Sequence, residues 1–230
     1  MQKLTESPKI GVLGGTFDPV HNGHLAVAGH VLQALALDSV WFIPASQPPH
    51  KPGHQEGRKI SSLKHRVTML QKALNPYPDF VISDIEAKRA APSYSIDTIN
   101  ILVRQMGPEA DLYFVIGADA FLEIDTWKRF RELPVLVNLV IISRPGSPFD
   151  KVEAVIRHSY TGYRYDPRQK TWNSPDNKGS FILQPMVPVP ISSTQIREKV
   201  GRGEDIAGLV PSAVADYIKQ HKLYKQEKFS

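Results

Sequence analysis

Short apolar runs alternate with amphipathic stretches along most of this chain. Runs this short and this apolar are typical of strands buried on both faces of a parallel sheet. They lie at residues 10–13, 40–43, 80–82, 112–116, 139–142 and, more weakly, 181–183. Helix-like stretches separate them at 24–35, 63–74 and 96–106. The alternation predicts an α/β fold: a doubly wound (Rossmann-like), mostly parallel sheet with helices on both faces.

The length of 230 residues suits a single domain, which we expect to span residues 1–230. Residues 145–180 turn polar and irregular and break the alternation, so we interpret them as an insertion or a peripheral segment. A last helix at 211–221 predicts a short helical part at the C-terminus. We see neither a signal peptide nor a run of membrane-spanning length, and therefore expect a cytoplasmic protein without a membrane partner.

The amino-acid composition limits the kinds of chemistry that this protein can perform. The chain has no cysteine, which excludes disulfides, thiolate metal sites and cysteine nucleophiles. Its formal net charge of +5 suits anionic partners, although part of the excess lies in the basic stretch 219–228. Charge alone therefore favours phosphate binding only weakly.

The loop after the first predicted strand, GGTFDPVHNGH at residues 14–24, combines features of a phosphate site. Adjacent glycines let a ligand approach the backbone closely, and the amides at the start of the following helix attract anions. His21 and His24 are three positions apart, so both can face one phosphate if the helix has begun by then.

Plainer interpretations of this loop remain open at this point. The glycines could simply make a turn, and the histidines could cap or pack. The G-x-G-x-x-G spacing of dinucleotide-binding loops is absent. A zinc site with His50 and His54 as extra ligands is disfavoured because nothing supplies the usual His pair with its Glu, and we assign no metal ligand.

A second cluster, ISSTQIR at residues 191–197, follows the last predicted strand at the start of a helix. Ser192 or Ser193 can cap that helix. Arg197, one turn in, can take two phosphate oxygens with its guanidinium. Alone this would be an ordinary helix cap with a surface arginine. Together with the first loop, it indicates a second phosphate-binding helix end.

These two clusters resemble the two signatures of the nucleotidylyltransferase superfamily, and they are most similar to those of bacterial nicotinate mononucleotide adenylyltransferases. Further similar segments occur in the same order between residues 9 and 224: PASQPPHK (44–51), LKHR (63–66), PSYS (92–95), IGAD (116–119), Trp127 and SRPG (143–146). In this family threonine is commoner at the position of Ser95.

The resemblance implies a role for each matching position. His21, His24, Lys51 and Arg197 would be the catalytic residues and would act on the ATP phosphates and the leaving pyrophosphate. Arg144, Ser95 and Trp127 would bind the acceptor, with the Trp127 ring on the pyridine. The residues that would bind ATP are Gly14, Gly15, Thr16, Phe17, Gly117, Asp119, Ser192, Ser193 and Thr194.

The activity implied is adenylyl transfer from ATP to nicotinate mononucleotide in NAD biosynthesis, with Mg²⁺ accompanying ATP. The acceptor phosphate is already a dianion at neutral pH, so the protein must supply alignment and positive charge but no base. Alternatives are the same chemistry on nicotinamide mononucleotide or phosphopantetheine, or a non-catalytic nucleotide-sensing or RNA-binding module. Small molecules, and no nucleic acid, are the expected partners. The sequence does not predict an oligomeric state.

Overall fold

The strands of this chain join into one sheet. The computed structural model describes residues 7–47, 60–89, 92–107, 109–143, 149–176, 178–187 and 189–225. The strands within these residues are β1 (Lys9–Gly15), β2 (Ser39–Pro44), β3 (Phe80–Ile82), β4 (Asp111–Gly117), β5 (Asn138–Ser143), β6 (Arg164–Asp166), β7 (Thr171–Asn173) and β8 (Ser180–Pro185). Their order across the sheet is β3-β2-β1-β4-β5-β8-β7-β6.

Most neighbouring strands are parallel. β3, β2, β1, β4, β5 and β8 form consecutive parallel pairs, whereas β6 and β7 form an antiparallel hairpin at the edge beside β8. Each predicted apolar run lies inside one of the parallel strands. The mostly parallel sheet expected from the sequence is thus confirmed.

Helices cover both faces of this sheet. They are α1 (Asn22–Ala34), α2 (Leu63–Leu74), α3 (Ser95–Met106), α4 (Ala118–Phe121), α5 (Leu133–Leu136), α6 (Asp150–Ser159), α7 (Ser193–Gly201) and α8 (Ser212–Gln220). Apolar residues of α1, α2, α7 and α8 share one core cluster with Leu13 and Val115 of the strands. Those of α3, α4, α5 and α6 share the other with Val12 and Phe114. Val12 and Leu13 are successive strand residues, as are Phe114 and Val115, and successive side chains of a strand point to opposite faces. The two clusters therefore lie on opposite faces of the sheet, which is doubly wound, as predicted.

The segment at 145–180 contains regular structure among its described residues. α6 packs into the core through Val152 and Ile156, and the hairpin of β6 and β7 follows it. The division of the chain into a domain and an insertion stays a prediction. The C-terminal helical part is α8, for which Pro211 is the N-cap residue. None of the described helices is both long and apolar enough to cross a membrane.

The direction of winding reverses between β1 and β4. From β1 the chain adds β2 and β3 on one side, and from β4 it adds β5 and β8 on the other. In open α/β sheets a crevice forms at such a reversal, beyond the carboxyl ends of the strands. The crevice is therefore expected at Gly15 and Gly117, where β1 and β4 end.

Candidate active site

The loop from β1 to α1 forms one wall of this crevice. Gly14 is exposed, and Gly15 and Thr16 are partly exposed. Phe17 has a φ of 51° and is buried. A Cβ on Gly15 would lie 2.9 Å from the Phe17 ring, so the close turn requires glycine there. The side chain of Phe17 belongs to the core, and only its backbone can take the role predicted for it in ATP binding.

His21 and His24 stand side by side at the start of α1. Their rings are stacked with centroids 3.7 Å apart, and the edge of Phe17 packs against His24. The backbone N–H of His21 donates to Nδ1 of His24 at 3.2 Å. This bond places the proton of a neutral His24 on Nε2, because Nδ1 acts as the acceptor. His24 thus keeps one ring N–H for another partner.

Both histidines are neutral at pH 7. Burial lowers the pKa of His21 to about 4. Burial, followed by the neighbouring His21, lowers the pKa of His24 well below its ordinary value. The pair therefore supplies neutral N–H donors rather than positive charge, because the site is poorly solvated. Positive charge reaches this loop from Arg197, which donates to the Asp18 carbonyl, and from the buried Arg66, which donates to the Thr16 carbonyl.

Gly23 lies between the two histidines in the chain and leaves little room for a side chain. A Cβ at this position would lie 3.0 Å from Nδ1 and 3.1 Å from Cε1 of His21. We therefore expect Gly23→Ala to displace the imidazole by a few tenths of an ångström and to lower kcat up to about tenfold, since a misplacement of about 1 Å can cost about 100-fold. The measurement is steady-state turnover together with chemical denaturation.

Gly29 provides the matched control for this substitution on the same helix. A Cβ there meets nothing within 4 Å, so Gly29→Ala should keep its kcat and gain up to about 1 kcal/mol from helix propensity. A Gly23→Ala protein with the turnover of the wild type would show that the position of His21 does not matter for activity.

The start of α7 lies directly against the β1–α1 loop. The Ser192 hydroxyl accepts from the Gln195 amide, which confirms Ser192 as the cap. The Ser193 hydroxyl donates to the carbonyl of Pro19 at 2.9 Å, and that of Thr194 accepts from Arg197 at 2.7 Å. These hydroxyls hold protein groups, which leaves the backbone amides of Ser193 and Thr194 at the helix start for an anion.

Arg197 connects the two signature segments, residues 14–24 and 191–197. Its Nη1 donates to the backbone carbonyl of Asp18 in the first loop, across 179 positions of sequence. Its Nε is buried and has no hydrogen-bond partner. A buried donor without a partner is costly, and a phosphate oxygen in the crevice would satisfy it.

The predicted ribose residues Gly117 and Asp119 lie at the end of β4, and the predicted acceptor residues Trp127 and Ser95 lie in two other segments. Gly117 ends β4 as the N-cap of α4, and Asp119 is exposed in that helix. Trp127 follows a 3-10 turn and contacts Phe114 edge-on. Ser95 begins α3.

Lys128 connects the segment of Trp127 with the start of α3, the two segments that are predicted to bind the acceptor. Its Nζ donates to the carboxylate of Asp97 at 2.9 Å and lies 4.7 Å from the centroid of the Tyr94 ring. Trp127 precedes Lys128 in the chain, and Ser95 stands between Tyr94 and Asp97. The structure thereby brings the two segments together.

Other predicted positions cannot be placed. Lys51 and Arg144, together with His50 and His54, lie outside the described residues. Within the described ranges, no cluster of three or more His, Asp or Glu side chains could hold a metal ion.

Sequence reasoning missed the roles of three polar residues behind the first loop: the buried Asp18 and Arg66 and the half-buried Tyr224. Arg66 left a signal in the sequence, since it lies on the apolar face of α2 with Met69, Leu70 and Ala73, which are all buried. A charged residue in a buried stripe is rare unless it is paired. Asp18 and Tyr224 left no comparable local signal.

Comparisons with known proteins agree with this geometry. The family model described as cytidylyltransferase-like matches residues 12–199. A protein of Citrifermentans bemidjiense named probable nicotinate-nucleotide adenylyltransferase is 38% identical over 94% of this chain and 98% of its own length. A protein of the same name from Syntrophotalea carbinolica is also 38% identical, over 96% and 100%.

A solved structure with a similar fold is that of the Plasmodium falciparum nicotinic acid mononucleotide adenylyltransferase complexed with NaAD. Its TM-score is 0.70 at 19% identity, and the match covers 94% of this chain and 97% of that one. At this identity the likeness shows the fold alone.

Proposed function

This chain belongs to the cytidylyltransferase-like family and, within it, to the nicotinate-nucleotide adenylyltransferases; from this premise we propose that it joins ATP and nicotinate mononucleotide into nicotinate adenine dinucleotide, with release of pyrophosphate. This is a step of NAD biosynthesis. The proposal includes the cytoplasm as the place of the reaction and small molecules as the partners.

One observation carries the proposal: two helix starts meet at the point where the sheet reverses its winding. α1 and α7 are held together by the bonds from Ser193 to Pro19 and from Arg197 to Asp18. The start of α7 offers the amides of Ser193 and Thr194. The start of α1 offers its dipole and the amide of Gly23, because the amides of Asn22 and His24 donate to protein carbonyls. Two such ends, together with Arg197 and the N–H of His24, suit a chain of phosphates rather than a single anion.

The chemistry requires alignment rather than a protein base. An oxygen of the acceptor phosphate attacks the α-phosphorus of ATP in line, and the bond from that phosphorus to the bridging oxygen breaks to release pyrophosphate. His24 would donate its Nε2–H, and Arg197 would donate from its buried Nε, to oxygens on which charge develops. Lys51 would add a second cation.

Magnesium would enter as part of the ATP substrate. The carboxylate of the first loop, Asp18, is engaged on both oxygens, by the hydroxyl of Tyr224 and the amide of Ser61. We therefore expect phosphate oxygens and water to hold Mg²⁺, which accepts such ligands readily.

The acceptor would lie between Trp127 and the start of α3. Its pyridine ring would stack on Trp127, and its carboxylate would accept from amides in the first turn of α3 near Ser95. The first hydrogen bonds within α3 are donated by Asp97 and Thr98 to the carbonyl of Tyr94, so the amides before them stay available. The ammonium of Lys128 on Asp97 also offsets the negative charge of that carboxylate.

We expect nicotinate mononucleotide to be a much better acceptor than nicotinamide mononucleotide. A hydrogen bond to a charged group contributes about 1.5–3 kcal/mol, which corresponds to roughly ten- to a hundredfold in kcat/KM. The measurement is pyrophosphate release with ATP and Mg²⁺ against nicotinate mononucleotide, nicotinamide mononucleotide and phosphopantetheine.

Each outcome of this panel has a separate meaning. Equal kcat/KM for acid and amide would contradict the assignment of the carboxylate site. Turnover with phosphopantetheine alone would change the acceptor but keep the reaction. Binding of ATP with no pyrophosphate from any acceptor would leave a nucleotide-sensing protein as the better description.

A further inference from the structure

The carboxylate of Asp18 connects the first phosphate loop to a distant part of the chain. Asp18 is 3% exposed. One of its carboxylate oxygens accepts from the Tyr224 hydroxyl at 2.7 Å, and the other accepts from the Ser61 amide. Its backbone carbonyl is the group to which Arg197 donates. One residue thus receives bonds from three separate segments.

Arg66 makes a second set of connections around the same point. Its guanidinium is buried and donates to the carbonyls of Thr16 at 2.8 Å, Ser61 at 3.0 Å and Ser46 at 3.3 Å. These carbonyls belong to the loops after β1, before α2 and after β2. Burial lowers the pKa of Arg66, and the charge of Asp18 partly offsets that effect. The two charges therefore stabilise each other inside the protein.

Tyr224 completes this arrangement from the segment after α8. Its side chain packs against the core cluster shared by α1 and α2. Burial, together with the nearby charge of Asp18, raises the pKa of Tyr224, so its hydroxyl is protonated and donates at neutral pH. Without this donor, a buried carboxylate oxygen would lose a hydrogen bond, which is costly for a charged group.

We infer that Tyr224 is a positioning residue for adenylyl transfer: through Asp18 it holds the backbone carbonyl that aims the guanidinium of Arg197 into the crevice. The kinetic part of this inference rests on the proposed function. Tyr224 contacts the loop from the side of the core and fixes the orientation of Asp18, while Arg197 binds the phosphates. Losing such orientation affects the transition state more than the binding of the substrates.

The test is Tyr224→Phe, which removes the hydroxyl and keeps the ring. We expect kcat to fall about tenfold, with the KM values for ATP and nicotinate mononucleotide within about twofold of the wild type. Tyr217→Phe is the matched control, since the Tyr217 hydroxyl is also held by a side chain of another element, His65 of α2, at 2.9 Å. It should lower stability to a similar extent but retain kcat.

Hydrogen exchange gives a second measurement that requires no turnover. We expect the amides of residues 16–24 to exchange faster in Tyr224→Phe than in the wild type and in Tyr217→Phe, because their loop opens more often. Unchanged exchange in Tyr224→Phe would overturn the inference whatever the activity, and so would an equal loss of kcat in Tyr217→Phe. Absence of pyrophosphate release by the wild type would instead refute the proposed function.

Discussion

Replacing His24 with alanine is expected to lower kcat by about 10²- to 10³-fold, the usual effect of removing one donor aimed at charge that develops in the transition state. The Nδ1 of His24 is occupied by the backbone N–H of His21, so the donor that is lost is Nε2–H. If His24 contributed only uniform binding of ATP, KM would rise and kcat would stay unchanged. Steady-state kinetics with both substrates distinguishes these results.

His24→Asn separates the structural role of His24 from its catalytic one. The asparagine oxygen can take the place of Nδ1 as acceptor of the His21 N–H, but it brings no donor to the position of Nε2. We expect the asparagine variant to lose kcat as the alanine variant does, while it retains more of the roughly 1 kcal/mol that such a cap contributes. Near-normal turnover in folded His24→Asn would remove His24 from the catalytic assignment.

The contact between the His21 and His24 rings also predicts how a variant that lacks both will behave. The two imidazole rings are in contact, and residues in contact seldom act independently. His21→Ala/His24→Ala should therefore lose less kcat than the product of the two single losses. This follows from the same set of kinetic measurements.

Replacing Arg66 with methionine is expected to lower the free energy of unfolding by about 3–5 kcal/mol, because each buried acceptor left without a hydrogen-bond partner costs about 1–3 kcal/mol. Methionine fills much of the space, but it leaves the carbonyls of Thr16, Ser46 and Ser61 without their donor and Asp18 without a counter-charge. In a chain of this size the loss corresponds to roughly 6–20 °C in Tm. Chemical denaturation measures it.

Arg104→Met is the control for this prediction. Arg104 is exposed on α3, and surface substitutions usually change stability by no more than about 0.5 kcal/mol. If Arg66→Met were as stable as Arg104→Met, the guanidinium would not hold the three loops together. Its high burial would then reflect the packing of its alkyl stem alone.

The elements of the fold could be predicted because their signals are local. Short apolar runs identified the parallel strands, and the apolar positions of 96–106 identified α3, since side chains repeat every two or every 3.6 residues. The irregular composition of 145–180 hid the hairpin of β6 and β7, whose strands are only three residues each. β3 is equally short but consists of three apolar residues, whereas β6 and β7 contain charged and polar residues and so form no apolar run.

Some residues of the site were predicted from their chemical type, and others only from the resemblance to a known family. Glycines before a helix, hydroxyls at its cap and an arginine one turn in are local features, and they indicated phosphate binding at both signatures. The cap at Ser192 follows from the same logic. Ser95 and Trp127 depended on the resemblance, because a serine and a tryptophan by themselves are typical of many helices and cores.

The sequence by itself determined which residues could meet phosphates, because glycine, histidine, serine and arginine carry their hydrogen-bonding capacity wherever they lie. The tertiary structure decided how each is used. It buried His21 and His24 so that they are neutral, and it engaged the hydroxyls of Ser193 and Thr194 within the protein. It also brought Tyr224 to Asp18 across 206 positions. Burial and contacts between distant segments arise only when the helices and strands pack together, and no local pattern records them.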